Sequence, residues 1–263
     1  MQQQCDAKDG PHCGALISRL PINDLAVPKL GAWNGRVKWN KSGVTQLQGQ
    51  PVIRTFFKKG SGTSAHPFRE ASGMTIATKA QGLVGTPGAV VCFDVFFDPE
   101  AWHWSRGGKL GGLFVGEGAA SGGRHTATGS SYRIMWQADG GAISYFYLPK
   151  GVPQPNPALA SCHEFGLGLH HATFAGALKV GQWNRIQLGV QLNTFAGGKP
   201  AGDGKAMLCV NGVSAVTDRI NWVGRPDLKL NGFEYAAFFG GPDPALVDSV
   251  CYVRNFEVRE WRP

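Results

Sequence analysis

The feature that most constrains the fold is a series of short apolar runs separated by turn residues along almost the whole chain. Runs with the length and residue types of β-strands occupy residues 52–57, 90–97, 110–115, 131–136, 142–148, 185–192, 206–210, 235–239 and 250–258. Asn211-Gly212, directly after one such run, is a strong hairpin-turn signal. No segment keeps helical periodicity over three turns. The pattern predicts an all-β protein, either a sandwich or a jelly roll.

The chain contains no internal repeat and no linker, which predicts one domain over residues 31–263 after an irregular N-terminal segment, residues 1–30. Residues 149–180 carry no strand pattern, and a loop of this length is expected to form a wall or lid of a cleft. The first residues lack a basic region followed by an apolar one, so no signal peptide is expected. No stretch is long enough to span a membrane.

The balance of charges points to an anionic partner. Lys and Arg total 26 against 18 Asp and Glu, a formal net charge of +8. Such a protein attracts nucleic acid or an acidic polysaccharide, although the same charge also serves solubility. Because no nucleic-acid-binding signature is present, we expect an acidic polysaccharide as partner, no nucleic acid, no membrane contact and a monomeric chain.

The cysteines and histidines do not form a convincing metal site. Cys92, Cys209 and Cys251 lie in apolar runs and are expected to be buried thiols, whereas Cys5 and Cys13 are close enough in sequence to bridge. A zinc site could be formed by His163, Glu164, His170 and His171, but their spacing is not that of HExxH, and the adjacent histidines cannot both face one site on a strand. We therefore expect no metal and no cofactor.

Two strand-like runs joined by a Gly-rich turn bring reactive side chains to one face. Alternation along a strand puts Ser131 and Arg133 on one side of the first run, and Tyr145 and Tyr147 on one side of the second. With an odd number of residues in the turn, Arg133 would lie opposite Tyr145 and Ser131 opposite Tyr147. Lys109 lies upstream among glycines, where a polymer can approach the backbone closely.

This set suits β-elimination on a uronic acid. The reaction needs a cation to neutralise the C6 carboxylate, a base for the C5 proton and an acid for the departing O4 oxygen. Arg133 can hold a carboxylate, and a cation beside Tyr or Lys lowers that neighbour's pKa. An ordinary wet face of a half-buried sheet would show the same residue types, so the spacing alone leaves both interpretations open.

The motifs GGKLGGL (107–113), SYR (131–133) and YFY (145–147) resemble those of polysaccharide lyase family fourteen, most closely its chlorella-virus branch. That family includes alginate lyases and glucuronate-cleaving lyases. Gly111 stands where the family commonly has Pro. The resemblance extends through GQWNRIQLGVQLN (181–193), VNG (210–212) and FFGG (238–241), and covers the chain from about residue 51 to its end.

The resemblance implies a single antiparallel β-jelly roll, a concanavalin-like sandwich with a concave substrate cleft. It implies metal-independent elimination that leaves 4,5-unsaturated uronate ends, by an enzyme acting on cell-wall polysaccharide outside the cell or on a virion. It also implies that the cleft is lined by Lys109, Ser131, Arg133, Tyr145 and Tyr147.

Within this cleft we assign roles as a hypothesis. Arg133, helped by Ser131, binds and neutralises the carboxylate, while Tyr147 and Lys109 share proton abstraction and donation. Tyr145 positions the sugar or substitutes in one of the proton-transfer steps. Two residues of the loop between the lysine run and the SYR run are expected to bind substrate: His125 and Arg124. Several tryptophans could stack on sugars but are mostly expected in the core: Trp102, Trp104, Trp136 and Trp183.

Two rival functions remain on the same fold. A glycoside hydrolase needs two carboxylates about 5–10 Å apart, and no clustered acidic pattern appears on one strand. A non-catalytic lectin-like module binding acidic glycans would keep the basic cleft without needing Lys109 and the paired tyrosines in this arrangement.

Overall fold

The computed structural model describes residues 10–22, 37–39, 42–62, 73–79, 82–105, 107–117, 120–162, 166–240 and 244–263. The strands, numbered in chain order, are β1 Cys13–Leu20, β2 Val37–Trp39, β3 Gly43–Leu47, β4 Gln50–Phe57, β5 Met74–Thr78, β6 Gly88–Phe97, β7 Gly107–Gly116, β8 Gly129–Gln137, β9 Ala142–Tyr147, β10 Leu167–His170, β11 Trp183–Gln191, β12 Phe195–Ala196, β13 Lys199–Pro200, β14 Gly204–Val210, β15 Val213–Ile220, β16 Leu230–Phe239 and β17 Ser249–Trp261. Helical structure in these ranges is limited to 3-10 turns, and none is long and apolar enough to cross a membrane.

Apart from β12 and β13, which form a separate two-stranded hairpin, the strands form two antiparallel sheets that pack face to face. One follows the order β15-β14-β11-β6-β17-β4-β3, with β1 paired to the second half of β17. The other has seven strands in the order β10-β9-β8-β7-β16-β5-β2. Rings from the two sheets meet in the core, where the centroid of Phe93 lies 5.9 Å from that of Phe233 and 6.0 Å from that of Tyr235. The all-β, jelly-roll prediction is confirmed.

Every run predicted as a strand coincides with one, because alternating or continuous apolar residues are buried between the sheets. Strand β6 is apolar on both sides for a local reason. Its Phe93 and Val95 face the main core, while Val90 and Cys92 pack on the other side against Cys13 and neighbouring residues. The N-terminal segment therefore covers part of the outer face of the first sheet.

Two segments expected to be irregular each contain a strand. Residues 13–20, expected within the irregular N-terminal segment, form β1 on the open edge of β17. The segment 149–180 is not free of strands, since Leu167–His170 forms β10 on the edge of β9. Both are edge strands whose backbone groups are satisfied by a neighbour that is distant in sequence, which a local pattern does not reveal.

Trp102 and Trp136 belong to the core, as predicted, and their ring centroids lie 5.4 Å apart. Trp183 instead lies partly exposed on β11, with the guanidinium carbon of Arg254 3.8 Å from its ring centroid. Cys92, Cys209 and Cys251 are buried, as predicted. Cys5 lies outside the described residues, and with it the expectation of a bridge to Cys13.

Candidate active site

The register of β8 and β9 brings the predicted residues together. Arg133 pairs with Tyr145, and Ser131 pairs with Tyr147. This is the pairing expected for an odd turn, and residues 137–141 separate the paired Trp136 and Ala142. Tyr132 and Ile134 point the other way and are fully buried in the core. The four site residues therefore share the outer face of the seven-stranded sheet.

An irregularity in β7 places Lys109 on the same face. Lys109 pairs with Met135, but Gly111 already pairs with Ile134 and Gly112 with Arg133, so the register shifts around Leu110. Strict alternation would put Lys109 and Gly112 on opposite faces. The bulge lets both lie on the site face, while Leu110 turns into the core with 0% exposure.

The neighbouring strand β16 adds two side chains that the sequence analysis missed. Glu234 pairs with Gly112, and Phe238 pairs with Lys109. A row of paired residues thus crosses the sheet from β16 to β10: Glu234, Gly112, Arg133, Tyr145 and Gly168. In the sequence, Glu234 is an acidic residue between Phe233 and Tyr235, two aromatic residues that face the core, and this alternation was the available sign that Glu234 faces the other side.

Lys109 lies against aromatic rings. Its Nζ is 4.7 Å from the ring centroid of Tyr145 and 5.7 Å from that of Tyr147, with Phe238 also at 5.7 Å. The pKa of Lys109 is lowered to about 7, chiefly by burial and also by the positive charge of Arg133, while Glu234 partly opposes the shift. The amine therefore loses its proton near neutral pH, which makes it available as a base.

Arg133 is buried, with 5% of its surface exposed. Its Nε donates to Ser131 Oγ at 3.4 Å, and its guanidinium carbon lies 5.0 Å from the ring centroid of Phe114. Its Nη2 is 3.9 Å from Glu234 Oε2, too far for a hydrogen bond, and has no hydrogen-bond partner among the described residues. An unpaired buried donor costs about 1–3 kcal/mol, so this nitrogen is suited to an incoming anion.

Ser131 is fully buried behind Arg133. Its hydroxyl donates to the carbonyl of Ala120 at 2.7 Å and accepts from Arg133 Nε. Both contacts fix the hydroxyl in place. In this geometry Ser131 orients the guanidinium.

The two tyrosines are packed together under a glycine. Their ring centroids lie 5.6 Å apart, and a Cβ on Gly166 would come within 2.2 Å of Tyr145 and 2.6 Å of Tyr147. The hydroxyl of Tyr147 accepts a hydrogen bond from the N–H of Gly123 at 3.4 Å. Burial and the neighbouring Tyr147 raise the pKa of Tyr145, so its phenol keeps its proton at neutral pH.

His125 adjoins this pair, whereas Arg124 does not contact it directly. The ring of His125 lies 5.1 Å from that of Tyr147, and its Nδ1 lies 3.0 Å from the carbonyl of Leu148. Since a carbonyl only accepts, Nδ1 carries the proton of this bond. Arg124 is exposed in the adjoining turn, where its N–H donates to Ser121 O.

A groove of about 920 Å³ continues from His125 along the segment after β9. Leu148, Lys150, Gln154 and Cys162 contribute to its walls. This segment was expected to form a wall of the cleft; it lines the groove beside His125, whereas Lys109, Arg133, Tyr145 and Tyr147 are not among the lining residues.

The described residues contain no group of three or more His, Cys, Asp and Glu side chains that could hold a metal ion. His163 and Glu164, part of the considered zinc site, lie outside those residues. His170 is exposed at the end of β10, and His171 packs its ring 5.7 Å from that of Phe174.

Comparison with known proteins identifies the family to which the chain belongs. Exolysin of Paramecium bursaria Chlorella virus 1 is 26% identical over 196 residues, 65% of this chain but only 29% of that protein. Alginate lyase vAL-1 from Chlorella virus, known from a crystal structure, is 39% identical in sequence. The two structures match with a TM-score of 0.88 over 94% of this chain and 100% of that one. An alginate lyase from Aplysia kurodai, 23% identical, shares the fold with a TM-score of 0.71 over 84% of this chain and 88% of that one. The family model described as Polysaccharide lyase 14 matches residues 45–255, and the chain belongs to this family.

Proposed function

We propose that this protein cleaves a polyuronate of the alginate or glucuronan type by metal-independent β-elimination, leaving 4,5-unsaturated uronate ends. The observation that carries the proposal is the convergence of Lys109, Arg133, Tyr145 and Tyr147 on one sheet face, with Lys109 Nζ within 6 Å of both tyrosine rings. Family membership and the 39% identity to a viral alginate lyase support the reaction class and the kind of substrate.

Arg133 is assigned the substrate carboxylate. Its buried Nη2 offers an unpaired donor, and its planar guanidinium matches a carboxylate in geometry. Neutralising this carboxylate makes the C5 proton acidic and stabilises the negative charge that develops when the proton leaves. Ser131 holds the guanidinium in position for this role.

Lys109 is assigned as the base. The neutral amine takes the C5 proton and becomes an ammonium; the C5 electron pair forms the C4–C5 double bond, and the C4–O4 bond breaks. The lowered pKa of Lys109, about 7, provides a neutral amine at moderate pH. Because the pKa of Lys109 is lowered to about 7, its ammonium form gives up a proton readily, so Lys109 can return the proton to the tyrosine after the reaction.

Tyr147 is assigned as the acid that protonates O4. Its hydroxyl is oriented by the N–H of Gly123, which leaves the phenolic proton free to be donated. Transfer of a proton from Lys109 back to the phenolate of Tyr147 closes the cycle, so the net result moves one proton from C5 to O4. Tyr145, whose raised pKa keeps it protonated, donates a hydrogen bond that positions the sugar.

Substrate contacts beyond the reacting sugar are assigned to the loop that carries Arg124 and His125. His125 is one of the residues that line the groove of about 920 Å³, and Arg124, the preceding residue, is an exposed cation. The net charge of +8 favours a polyanion along this path. We place the enzyme outside the cell or on a virion, acting as a monomer on cell-wall polysaccharide, a location supported by its viral relatives.

The rival functions make different demands. A lectin-like module does not require a lysine with a pKa of about 7 between two tyrosines. A glycoside hydrolase requires two carboxylates, whereas the row of residues that contains Arg133 carries one, Glu234.

The test is the ultraviolet absorbance of new C=C bonds when the protein is mixed with alginate or with glucuronan. We expect absorbance to rise with the wild type and to be lost in Lys109→Ala. The control is Arg225→Ala, which removes an exposed cation paired with Asp227 and should leave the rate unchanged. Binding without absorbance would support the lectin, and new reducing ends without absorbance would support a hydrolase.

A further inference from the structure

Glu234 is a carboxylate in a site that has to bind a carboxylate. It lies on β16 with 22% of its side chain exposed, and its Oε2 is 3.9 Å from Arg133 Nη2. In strand order, Arg133 has Glu234 on one side and Tyr145 on the other, with only Gly112 between the acid and the arginine. A carboxylate in this place repels the substrate carboxylate, so its presence calls for a role that offsets this cost.

The role follows from the charges around it. Lys109 and Arg133 place two positive charges on one partly desolvated face, and like charges this close disfavour each other's charged form. Among the described residues, the other titratable groups near Lys109 are Tyr145 and Tyr147 on β9, while His170 lies on β10, two residues beyond the end of the row at Gly168. Among these side chains, Glu234 is the one carboxylic acid.

We propose that Glu234 is a positioning residue of this site: its carboxylate pairs with Arg133 and balances one of the two positive charges that Arg133 and Lys109 present. While Lys109 is protonated, the free site then carries a net charge of about +1, which one uronate carboxylate neutralises; once Lys109 has lost this proton and acts as the base, Glu234 balances Arg133 alone. At 3.9 Å, the charge attraction between Glu234 Oε2 and Arg133 Nη2 holds the guanidinium in place, while the Nη2 hydrogens stay free to bind the substrate. The inference rests on the proposed lyase function, because it concerns the same cations.

A direct test measures the protonation of Lys109 and does not depend on turnover. In protein labelled with ¹³C-lysine, the Cε resonance of Lys109 is identified by its loss in Lys109→Ala and is followed against pH. Removing the charge in Glu234→Gln should lower the titration midpoint by about half a pH unit or more. Glu234→Asp, which withdraws the charge from Arg133, should give a midpoint between those of the wild type and the Gln variant.

The matched control is Glu260→Gln, an identical chemical change at an exposed position of β17 in the other sheet. In this variant, the pH at the midpoint of the Lys109 titration should equal that of the wild type. Thermal melting establishes that each variant is folded. If Glu234→Gln does not fold, the Asp variant decides the question. A midpoint that stays at the wild-type value in the folded Glu234 variants overturns the proposal.

Kinetics add a second readout that separates positioning from loss of structure. Glu234→Gln should lower kcat, because Arg133 is less well fixed, while KM stays equal or falls, because a repulsive charge is gone. A rise in KM at unchanged kcat would contradict the proposal. If no polyuronate is cleaved by the wild type yet the Lys109 midpoint still moves in Glu234→Gln, the lyase function fails and the charge pairing stands.

Discussion

Gly112 lies directly beneath Arg133, so closely that a Cβ on Gly112 would come within 2.4 Å of Arg133 Cγ and 2.3 Å of the Tyr132 carbonyl oxygen. The absence of a side chain on β7 therefore gives the arginine the space in which it reaches towards Glu234. This relationship depends on the shift of register around Leu110, which turns Gly112 to the site face. A backbone feature of one strand thus positions the carboxylate-binding group of its neighbour.

Gly112→Ala should impair catalysis by displacing Arg133. We expect kcat/KM to fall by more than about 10-fold and overpacking to cost about 1–3 kcal/mol in the free energy of unfolding. The control is Gly43→Ala on β3, where an added Cβ meets no atom within 4 Å. Kinetics on alginate and chemical denaturation measure both effects. Equal rates in the two variants would show that the position of Arg133 tolerates the change.

Arg133→Ala should lower kcat and raise KM together, because the arginine binds the carboxylate both in the ground state and as negative charge develops. Arg133→Lys should not restore the rate, since a lysine lacks the planar pair of donors and does not reach Ser131 Oγ in the same way. Steady-state kinetics over a range of polymer concentrations measure both constants. A variant with normal kcat and raised KM would reduce Arg133 to a ground-state binding group.

The pH dependence should report Lys109. Its pKa is lowered to about 7, so at lower pH it is an ammonium and cannot accept the C5 proton. The rate constant kcat/KM should therefore rise with pH through about 7 and level off above it. Lys109→Ala should be inactive across the range, and Lys109→Arg should not rescue it, because arginine stays protonated. If a Lys109 variant retains weak activity and its kcat/KM still rises with pH through about 7, the titration belongs to another group.

Several features of the site were predictable from the sequence because they depend on strand alternation and one hairpin. The pairing of Arg133 with Tyr145 followed from the two-residue period and the odd turn between β8 and β9. The bulge at Leu110 and the contribution of Glu234 did not follow, because they depend on how β7 pairs with two neighbours, one of them more than a hundred residues away. Strand β10 was missed for the same reason: its four residues carry little pattern and pair with the edge of β9.

Catalysis should not require a divalent metal. We expect full activity after exhaustive dialysis against a chelator, since a cation at Arg133 and a neutral amine at Lys109 supply the charge neutralisation and the base. The measurement is the initial rate of absorbance change before and after chelation, and again after addition of zinc. Loss of the rate on chelation with recovery on zinc would revive the site considered at His163 and His170.

The last prediction concerns the division of labour between the two tyrosines. Tyr147→Phe keeps the ring against His125 and Gly166 and removes only the hydroxyl. It should lower kcat by at least about 10²-fold, the usual contribution of one proton-transfer group, with KM little changed. Tyr145→Phe should be milder, because its hydroxyl is assigned to positioning. Each variant serves as the control for the other, since both lose one hydroxyl from a packed pair whose ring centroids lie 5.6 Å apart.

If Tyr147→Phe keeps most of its turnover while Tyr145→Phe is inactive, the acid is Tyr145. If both variants remain active, the tyrosine mechanism fails, and His125, whose ring lies 5.1 Å from that of Tyr147, becomes the next proton donor to test.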